Sequence, residues 1–229
     1  MANTSKINGL SPIQYLSGAA YTGACRTYAI PVADTTASYA VGDVVRFLGG
    51  SDANGVPYAI KIPANEAAAF VPLGVIVGVS VADASVSLQA TNLDLTTTYI
   101  VAGTRTAVRY IKVADDPNLL WLASVGATAT NSTLAKLGNY NAGLGSFYSG
   151  ADQTYAIDQN ASVTTLLSPN APMSNIMLAG INTTATLPIR LLGLYQSPDN
   201  GVGAYARVLC RFQWHEFGWS VAGTGRTGV

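Results

Sequence analysis

A strict alternation of apolar and polar side chains near the end of the chain constrains the fold more than any other stretch. Residues 205–214 place an apolar side chain at every second position, a period that predicts a β-strand with one buried face. The preceding residues 187–196 are rich in aliphatic side chains, and residues 197–203 collect turn formers. The sequence therefore predicts a central β-hairpin, whose second strand buries Ala206, Val208, Cys210, Phe212 and Trp214.

Short apolar stretches separated by turn signals recur along the chain and are typical of an all-β fold, either a sandwich or a barrel. Asn54 and Gly55 predict the turn of one hairpin. Residues 115–118 predict the turn of a second hairpin, because proline pre-sets φ and Asp and Asn accept local hydrogen bonds. The predicted strands are 27–32, 41–48, 56–62, 72–81, 99–102, 106–113, 119–125, 155–157, 163–167 and 176–181, with a single helical turn at 64–70.

The chain shows no internal repeat and no dividing linker, so we expect one all-β domain. Its 229 residues are enough to bury a substantial core. We expect a single β-sandwich or jelly-roll-like domain with an extended N-terminal arm and long surface loops. Its parts are the arm at 1–26, the sandwich at 27–221 with a loop excursion at 126–152, and a flexible tail at 222–229.

The first 26 residues have no sustained period, and their glycines and proline alternate with large apolar side chains. Such a segment is too irregular for a regular strand and too apolar for a free tail. We expect it to lie along its own domain or along a neighbouring subunit, as an interaction arm or as an ordered leader. Its expected contact residues are Ile7, Leu10, Ile13, Tyr15, Leu16 and Tyr21.

Charge is unusually scarce in this sequence. Charged residues make up 10% of the chain and the net charge is zero, whereas about 25% charged residues is usual. Without a basic patch we expect no nucleic-acid partner, and without an apolar run of about 20 residues we expect no membrane span. Large obligate interfaces tolerate few charges, so we expect part of the surface to be covered by a partner, although a neutral surface rich in Thr, Ser and Asn is an alternative.

The cysteines and the N-terminus predict the compartment of synthesis. Cys25 and Cys210 are too few for a disulfide framework, and we expect two reduced thiols, with a bridge between them left open. The N-terminus lacks the apolar core of a signal peptide. Both observations indicate that the protein is made in the cytoplasm.

The side chains that usually carry catalysis are sparse. His215 is the single histidine, and its neighbour Cys210 is predicted to face the core, so we expect no enzyme, no cofactor and no metal site. Residues 51–55 resemble part of a calcium loop but lack the glutamate at its twelfth position. Trp121 and Trp214 are expected in the core, whereas Trp219 is left open as a contact residue.

Four segments together resemble a known class of proteins. They are MANTSKINGLSPIQYLSGA (1–19), GDVVRFLGGSDANGVP (42–57), RYIKVADDPNLLWL (109–122) and LGLYQSPDNGVGAYARVLCRFQWHEF (192–217). These segments are similar to the capsid decoration, or cement, proteins of tailed, podovirus-like bacteriophages. The resemblance covers most of the chain in segment order and is least at 127–175.

The resemblance implies a structural role in the virion. It implies a β-sandwich or jelly-roll-like domain on the outer capsid surface, bound to the major capsid protein, and a homodimer or homotrimer about a local symmetry axis. The matching positions are the arm at 2–21 and the turns at 115–118 and 198–201. Other expected contact residues are Arg207 and Arg211, on the polar face of the last strand, and Trp219.

Two other functions stay open at this point. One is a different virion component, such as a head–tail or tail protein. The other is a carbohydrate-binding β-sandwich that helps virions adhere to host cells, in which exposed aromatics such as Tyr140, Tyr148 or Trp219 would stack on sugars.

Overall fold

A computed structural model describes residues 3, 9–62, 71–80, 99–100, 102–126, 141–146, 174, 176–182 and 188–218. These residues form thirteen β-strands and no helix, so the all-β prediction is confirmed. The strands are β1 (Ser11–Tyr15), β2 (Arg26–Ile30), β3 (Tyr39–Ala40), β4 (Val44–Ser51), β5 (Pro57–Lys61), β6 (Gly74–Ser80), β7 (Tyr99–Ile100), β8 (Arg109–Ala114), β9 (Leu119–Ser124), β10 (Asn141–Ser146), β11 (Ile176–Asn182), β12 (Ile189–Leu194) and β13 (Arg207–Phe212).

Five strands close into a barrel in the order β2-β5-β4-β6-β8. The pairs are antiparallel except for β2 with β5, and β8 closes the ring by pairing with β2. The predicted hairpin around Asn54 and Gly55 is confirmed as β4 and β5. Aliphatic and aromatic side chains such as Ile30, Val45 and Ile111 form one buried cluster within this barrel.

The other long strands form a six-stranded sheet in the order β1-β9-β13-β12-β10-β11. The predicted closing hairpin is β12 and β13, and it lies at the centre of this sheet as expected. The alternation along β13 is also confirmed, because Val208, Cys210 and Phe212 are buried while the residues between them are half-exposed.

The barrel and the six-stranded sheet share one apolar core. Val44, Val75 and Ala114 of the barrel pack in the same buried cluster as the side chains of the sheet. Their chain neighbours Val45, Ile76 and Val113 belong to the other cluster, as the alternation of side chains along a strand requires. The period-two pattern of the barrel strands thus supplies both the barrel interior and the contact with the sheet.

The predicted hairpin at residues 115–118 is wrong. β8 pairs with β2 and β6, whereas β9 pairs with β1 and β13, so the turn carries the chain from the barrel to the sheet. The turn itself forms as expected, with the Asn118 amide donating to Asp116 Oδ1 at 2.8 Å. Asp115 is buried and accepts a hydrogen bond from the Tyr28 hydroxyl at 2.5 Å, which anchors the start of the turn to the barrel.

Two other expectations need revision. Where stacked sheets were expected, the described strands form a closed barrel against an open sheet, because alternation specifies a buried face but not whether a sheet closes on itself. Part of the expected loop at 126–152 is strand β10, which pairs with β11 and β12 despite its low β propensity. The predictions for 64–70, 155–157, 163–167 and 222–229 lie outside the described residues.

Candidate interaction surface

Residues 9–21, called here the N-terminal segment, lie against the protein's own six-stranded sheet. β1 pairs with β9 in an antiparallel register that sets Ser11 opposite Leu122 and Tyr15 opposite Leu119. The segment then turns back along its own outer edge, where the Tyr15 amide donates to the Ala19 carbonyl at 2.8 Å. The Tyr21 amide likewise donates to the Ile13 carbonyl at 3.0 Å, so the end of the sheet is partly covered.

The start of the N-terminal segment is fixed in the shared core. Leu10 is 1% exposed, and its amide donates to the Gly42 carbonyl at 3.0 Å. Gly9 has φ +65°, and an added Cβ would stand 2.3 Å from that same carbonyl oxygen, so only glycine fits there. Leu10, expected as a contact residue, is therefore a core residue of this chain.

Asn3 adds an anchor on the loop between β12 and β13. Its side-chain amide donates to the carbonyls of Gly201 and Ala204, at 2.9 Å each. Its Oδ1 accepts the Gly201 amide at 2.7 Å. Three hydrogen bonds thus hold this residue on the turn that the sequence resemblance had singled out.

A largely apolar, partly exposed surface lies where the N-terminal segment, the barrel and the sheet meet. We call it the junction surface, and it consists of exposed Leu16, Arg26 and Phe217 with half-buried Tyr15 and Tyr21. Leu16 and Phe217 are 46% and 44% exposed, which is high for large apolar side chains. The Arg26 guanidinium lies over the Phe217 ring at 5.0 Å, and the rings of Tyr15 and Tyr21 are 6.4 Å apart.

The turn at 115–118 lies behind this surface and joins its parts. The Leu16 amide donates to the Asn118 carbonyl at 2.8 Å. Arg26 lies 3.5 Å from the carboxylate of Asp115, whose side chain is 7% exposed. The turn at 115–118, which was predicted to close a hairpin, therefore supports the junction surface.

Packed aromatic rings connect Phe217 to the barrel through Phe47 and to the core shared with the sheet through His215 and Phe212. The Phe217 ring centroid lies 5.7 Å from that of Phe47 in the barrel and 6.0 Å from that of His215. His215 is 2% exposed, and its Nδ1 accepts the Phe217 amide at 3.1 Å. The histidine therefore holds the backbone that presents Phe217.

The junction surface carries little charge. Burial, together with nearby Cys25, Tyr15 and Asp115, raises the pKa of Tyr21 to about 12, so its hydroxyl stays neutral at physiological pH. That hydroxyl donates to the Ala24 carbonyl at 3.0 Å. Arg26 is the exposed cation of this surface, and the carboxylate nearest to it is buried. A ligand of this surface would be apolar or aromatic, with an acceptor for the guanidinium.

The predicted contact residues are thus divided among several places. Tyr15, Leu16 and Tyr21 come together on the junction surface, and Ile13 lies next to them on β1. Arg207 contacts Asp199 and lies 5.6 Å over the Tyr195 ring, so it is engaged within the chain. Arg211 lies opposite Arg190 across β13 and β12. Ile7, Trp219, Tyr140 and Tyr148 lie outside the described residues.

Sequence reasoning missed Arg26 and Phe217. Phe217 lies beyond the end of β13, where the alternating pattern no longer predicts which side chains are buried. Arg26 is the first residue of β2, and the alternation of apolar residues does not predict its environment. The available signal was an aromatic residue placed after His215 in a turn-forming stretch. Such a residue is exposed unless another part of the fold covers it.

Other polar clusters in the described residues have structural partners. Asp52 in the former calcium-loop candidate accepts the amides of Asn54 and Val56 at 2.9 and 2.8 Å and the Tyr110 hydroxyl at 2.6 Å. Within the described part of the chain, no group of three His, Cys, Asp or Glu side chains could hold a metal ion. The same part contains no helix long and apolar enough to cross a membrane. Cys25 is exposed, Cys210 is buried, and both are free thiols.

Comparison with known proteins gives no relative from which a function could be transferred. No family model, no curated protein and no solved structure matches the chain.

Proposed function

We propose that the protein is a capsid decoration, or cement, protein of a tailed bacteriophage. It binds the outer surface of the phage head and reinforces contacts between subunits of the major capsid protein. The junction surface is the observation that supports this proposal most. It exposes Leu16 and Phe217 next to a single cation, on a chain with few charges overall.

A rigid, weakly charged surface suits a permanent protein partner. Aromatic and arginine side chains are enriched among the residues that dominate binding energy, and Phe217 with Arg26 supplies one of each. The rings behind Phe217 hold it in place, so little conformational entropy is lost on binding. In contrast, the sparse charge gives no long-range attraction to nucleic acid or to an anionic surface.

The proposed mechanism is passive. A protein that binds only the assembled shell shifts the equilibrium towards assembly by mass action. A standard interface buries about 1,600 Å², and repetition across the lattice adds multivalency if the protein is itself a homodimer or homotrimer. No reacting group is needed for this role. The protein is then made in the host cytoplasm and ends on the outside of the virion.

We also propose that the domain is a jelly-roll-like sandwich. A jelly-roll-like sandwich is the architecture that the resemblance implies. The barrel and the six-stranded sheet, which share one core, are compatible with an elaborated two-layer β domain of that kind.

The test is binding to empty expanded shells of the phage that encodes this chain. We expect wild-type protein to bind in a fixed ratio to the major capsid protein. Phe217→Ala should weaken binding about 10-fold or more, because a well-supported aromatic at an interface centre contributes at least about 1.4 kcal/mol. Val202→Ala is the matched control, since Val202 is 46% exposed in the loop between β12 and β13, and it should bind like wild type.

The copy number in purified virions separates this role from its alternatives. Many copies spread over the shell support a cement protein. Copies confined to a single vertex would instead indicate a head–tail or tail component. Absence from the particle would contradict both virion roles.

A further inference from the structure

The N-terminal segment is a separate addition to a sheet that the rest of the chain builds. β9 to β13 come from residues 119–212, whereas β1 reaches the sheet edge from more than a hundred residues earlier, with Pro12 opposite Trp121. The next strand along the chain, β2, belongs to the barrel. The segment therefore contacts the sheet as a ligand would, although it is tethered to the barrel.

The N-terminal segment is firmly docked, whereas residues 22–25, the tether that connects it to β2, are not. Leu10 is buried, Gly9 has no room for a side chain, and β1 is hydrogen-bonded along β9. In contrast, residues 22–25 are all exposed. Gly23 in this tether has φ +89° with nothing within 4 Å of an added Cβ. Local opening is easiest where few buried contacts hold the chain, so the tether is the place where the path of the chain can change.

We infer that the N-terminal segment exchanges between copies, so that β1 of one copy pairs with β9 of another and links them into a homo-oligomer. The shape of the docking site indicates that the exchanged strand comes from a second copy of this chain. The pocket for Leu10, the tight approach at Gly9 and the β9 edge fit this segment, and a second copy carries the same segment. Exchange reproduces the contacts of the segment with β9 and with the shared core and changes the path of the tether.

Distance and concentration decide when exchange occurs. Four extended tether residues span about 13 Å, so the two copies must lie side by side. A neighbour held at that distance presents its segment at an effective concentration on the order of millimolar, which competes with closure within one chain. The inference concerns contacts between copies of this chain and does not rest on the proposed capsid role.

Cysteine cross-linking in the full-length chain tests the exchange. Ser11 and Leu122 are opposite each other across β1 and β9, and both are half-buried. In a Cys25→Ser background, Ser11→Cys is placed in one copy and Leu122→Cys in a second copy with a different affinity tag. The two are co-expressed, purified through both tags and oxidised. Pairing Ser11→Cys with Leu192→Cys, a position on β12 that is 36% exposed, is the matched control.

Exchange predicts a disulfide between Cys at 11 and Cys at 122 of different chains. On a non-reducing gel the band should move from the 23.7 kDa monomer position to the dimer position, and mass spectrometry should identify the linked peptides. The control pair should stay monomeric. Two results would overturn the inference: no mixed species after purification through both tags, or a mixed species that does not cross-link while a Ser11→Cys/Leu122→Cys double variant links within one chain. Loss of shell binding would affect neither result.

Discussion

The barrel and the six-stranded sheet are both closely packed, but they bury different kinds of side chain. Among the described residues, the buried charged side chains Asp43, Asp52, Lys61, Arg105 and Asp115 all lie in the barrel strands or their loops. In the sheet, the strand positions whose burial the structure describes, which exclude β10 and the second half of β11, are apolar where they are buried, except for Ser124. The barrel thus depends on matched polar partners, and the sheet depends on the pattern of its apolar side chains.

The two regions also differ at their edges. The barrel closes on itself through β2 and β8, so its strands leave no open edge. The sheet is open, and its β9 side is completed by β1. The sheet is therefore the region of the molecule that can accept a strand from elsewhere. The barrel supplies the fixed frame from which the tether of the N-terminal segment starts.

The largest effect is expected from breaking the buried ion pair of the barrel. Lys61 Nζ lies 2.8 Å from Asp43 Oδ2, with side chains 1% and 0% exposed. Lys61→Met leaves the Asp43 carboxylate buried without its cation, and we expect a loss of about 3–5 kcal/mol in the free energy of unfolding, measured by urea denaturation.

Two further variants test whether that loss comes from an unpaired charge. The double variant Asp43→Asn/Lys61→Met removes both charges and should lose less than Lys61→Met alone. Arg26→Met removes the 66% exposed partner of Asp115 and should cost at most about 1 kcal/mol. A Lys61→Met variant as stable as wild type would contradict the view that the barrel depends on polar partners.

The next effect concerns the edge of the sheet. Gly9→Ala places a Cβ 2.3 Å from the Gly42 carbonyl oxygen, at a φ of +65°. Gly23→Ala carries a similar backbone strain, with φ +89°, but meets no neighbour. We therefore expect Gly9→Ala to lose about 1–3 kcal/mol more than Gly23→Ala, from overpacking alone. Hydrogen exchange should show faster exchange of the amides that join β1 and β9, and equal stability of the two variants would show that the docking is not tight.

A smaller, pH-dependent effect is expected in the barrel loop at Asp52. Burial disfavours its carboxylate, but hydrogen bonds from Tyr110 and from the amides of Val56 and Asn54 outweigh this and hold its pKa below the ordinary value of 3.8. A depressed carboxyl pKa contributes stability above the unfolded-state pKa, and this contribution is lost as the pH falls through the lower folded-state pKa. Asp52→Asn should therefore be less stable than wild type at neutral pH, by on the order of 1 kcal/mol.

The check is the free energy of unfolding of the wild type and of Asp52→Asn, measured as a function of pH. The difference between them should shrink once the pH falls below about 3.8, the ordinary pKa of this carboxyl group. A difference that stays constant with pH would mean that the charge of Asp52 contributes nothing.

The sequence could predict the features of the fold that a local pattern specifies, but not the pairings between distant strands. The central hairpin and the buried face of β13 were predictable because alternation over a whole strand specifies its faces. The partners of β8 and β9 were not, since the short spacing at 115–118 suggests a hairpin, whereas the crossing depends on pairings with strands that are distant in the chain.

The candidate surface was predictable only in part. Tyr15, Leu16 and Tyr21 were expected because they are apolar in an irregular segment. Arg26 and Phe217 join them through contacts between residues far apart in the chain, which no local pattern records. Leu10, expected as a contact residue, is buried in the core of its own chain, and composition alone does not tell such a side chain from one offered to a partner.

The smallest perturbation, thiol labelling, tests whether the core of the sheet stays closed. Cys210 is 0% exposed on β13, and burial raises the pKa of its thiol, so both access and ionisation are suppressed. Cys25 is exposed in the tether. We expect a maleimide to label one cysteine per native chain and two in urea, counted by intact mass, and Cys25→Ser should take no label while folded. Rapid native labelling of Cys210 would mean that β13 opens from its neighbours and that the core of the sheet does not stay closed.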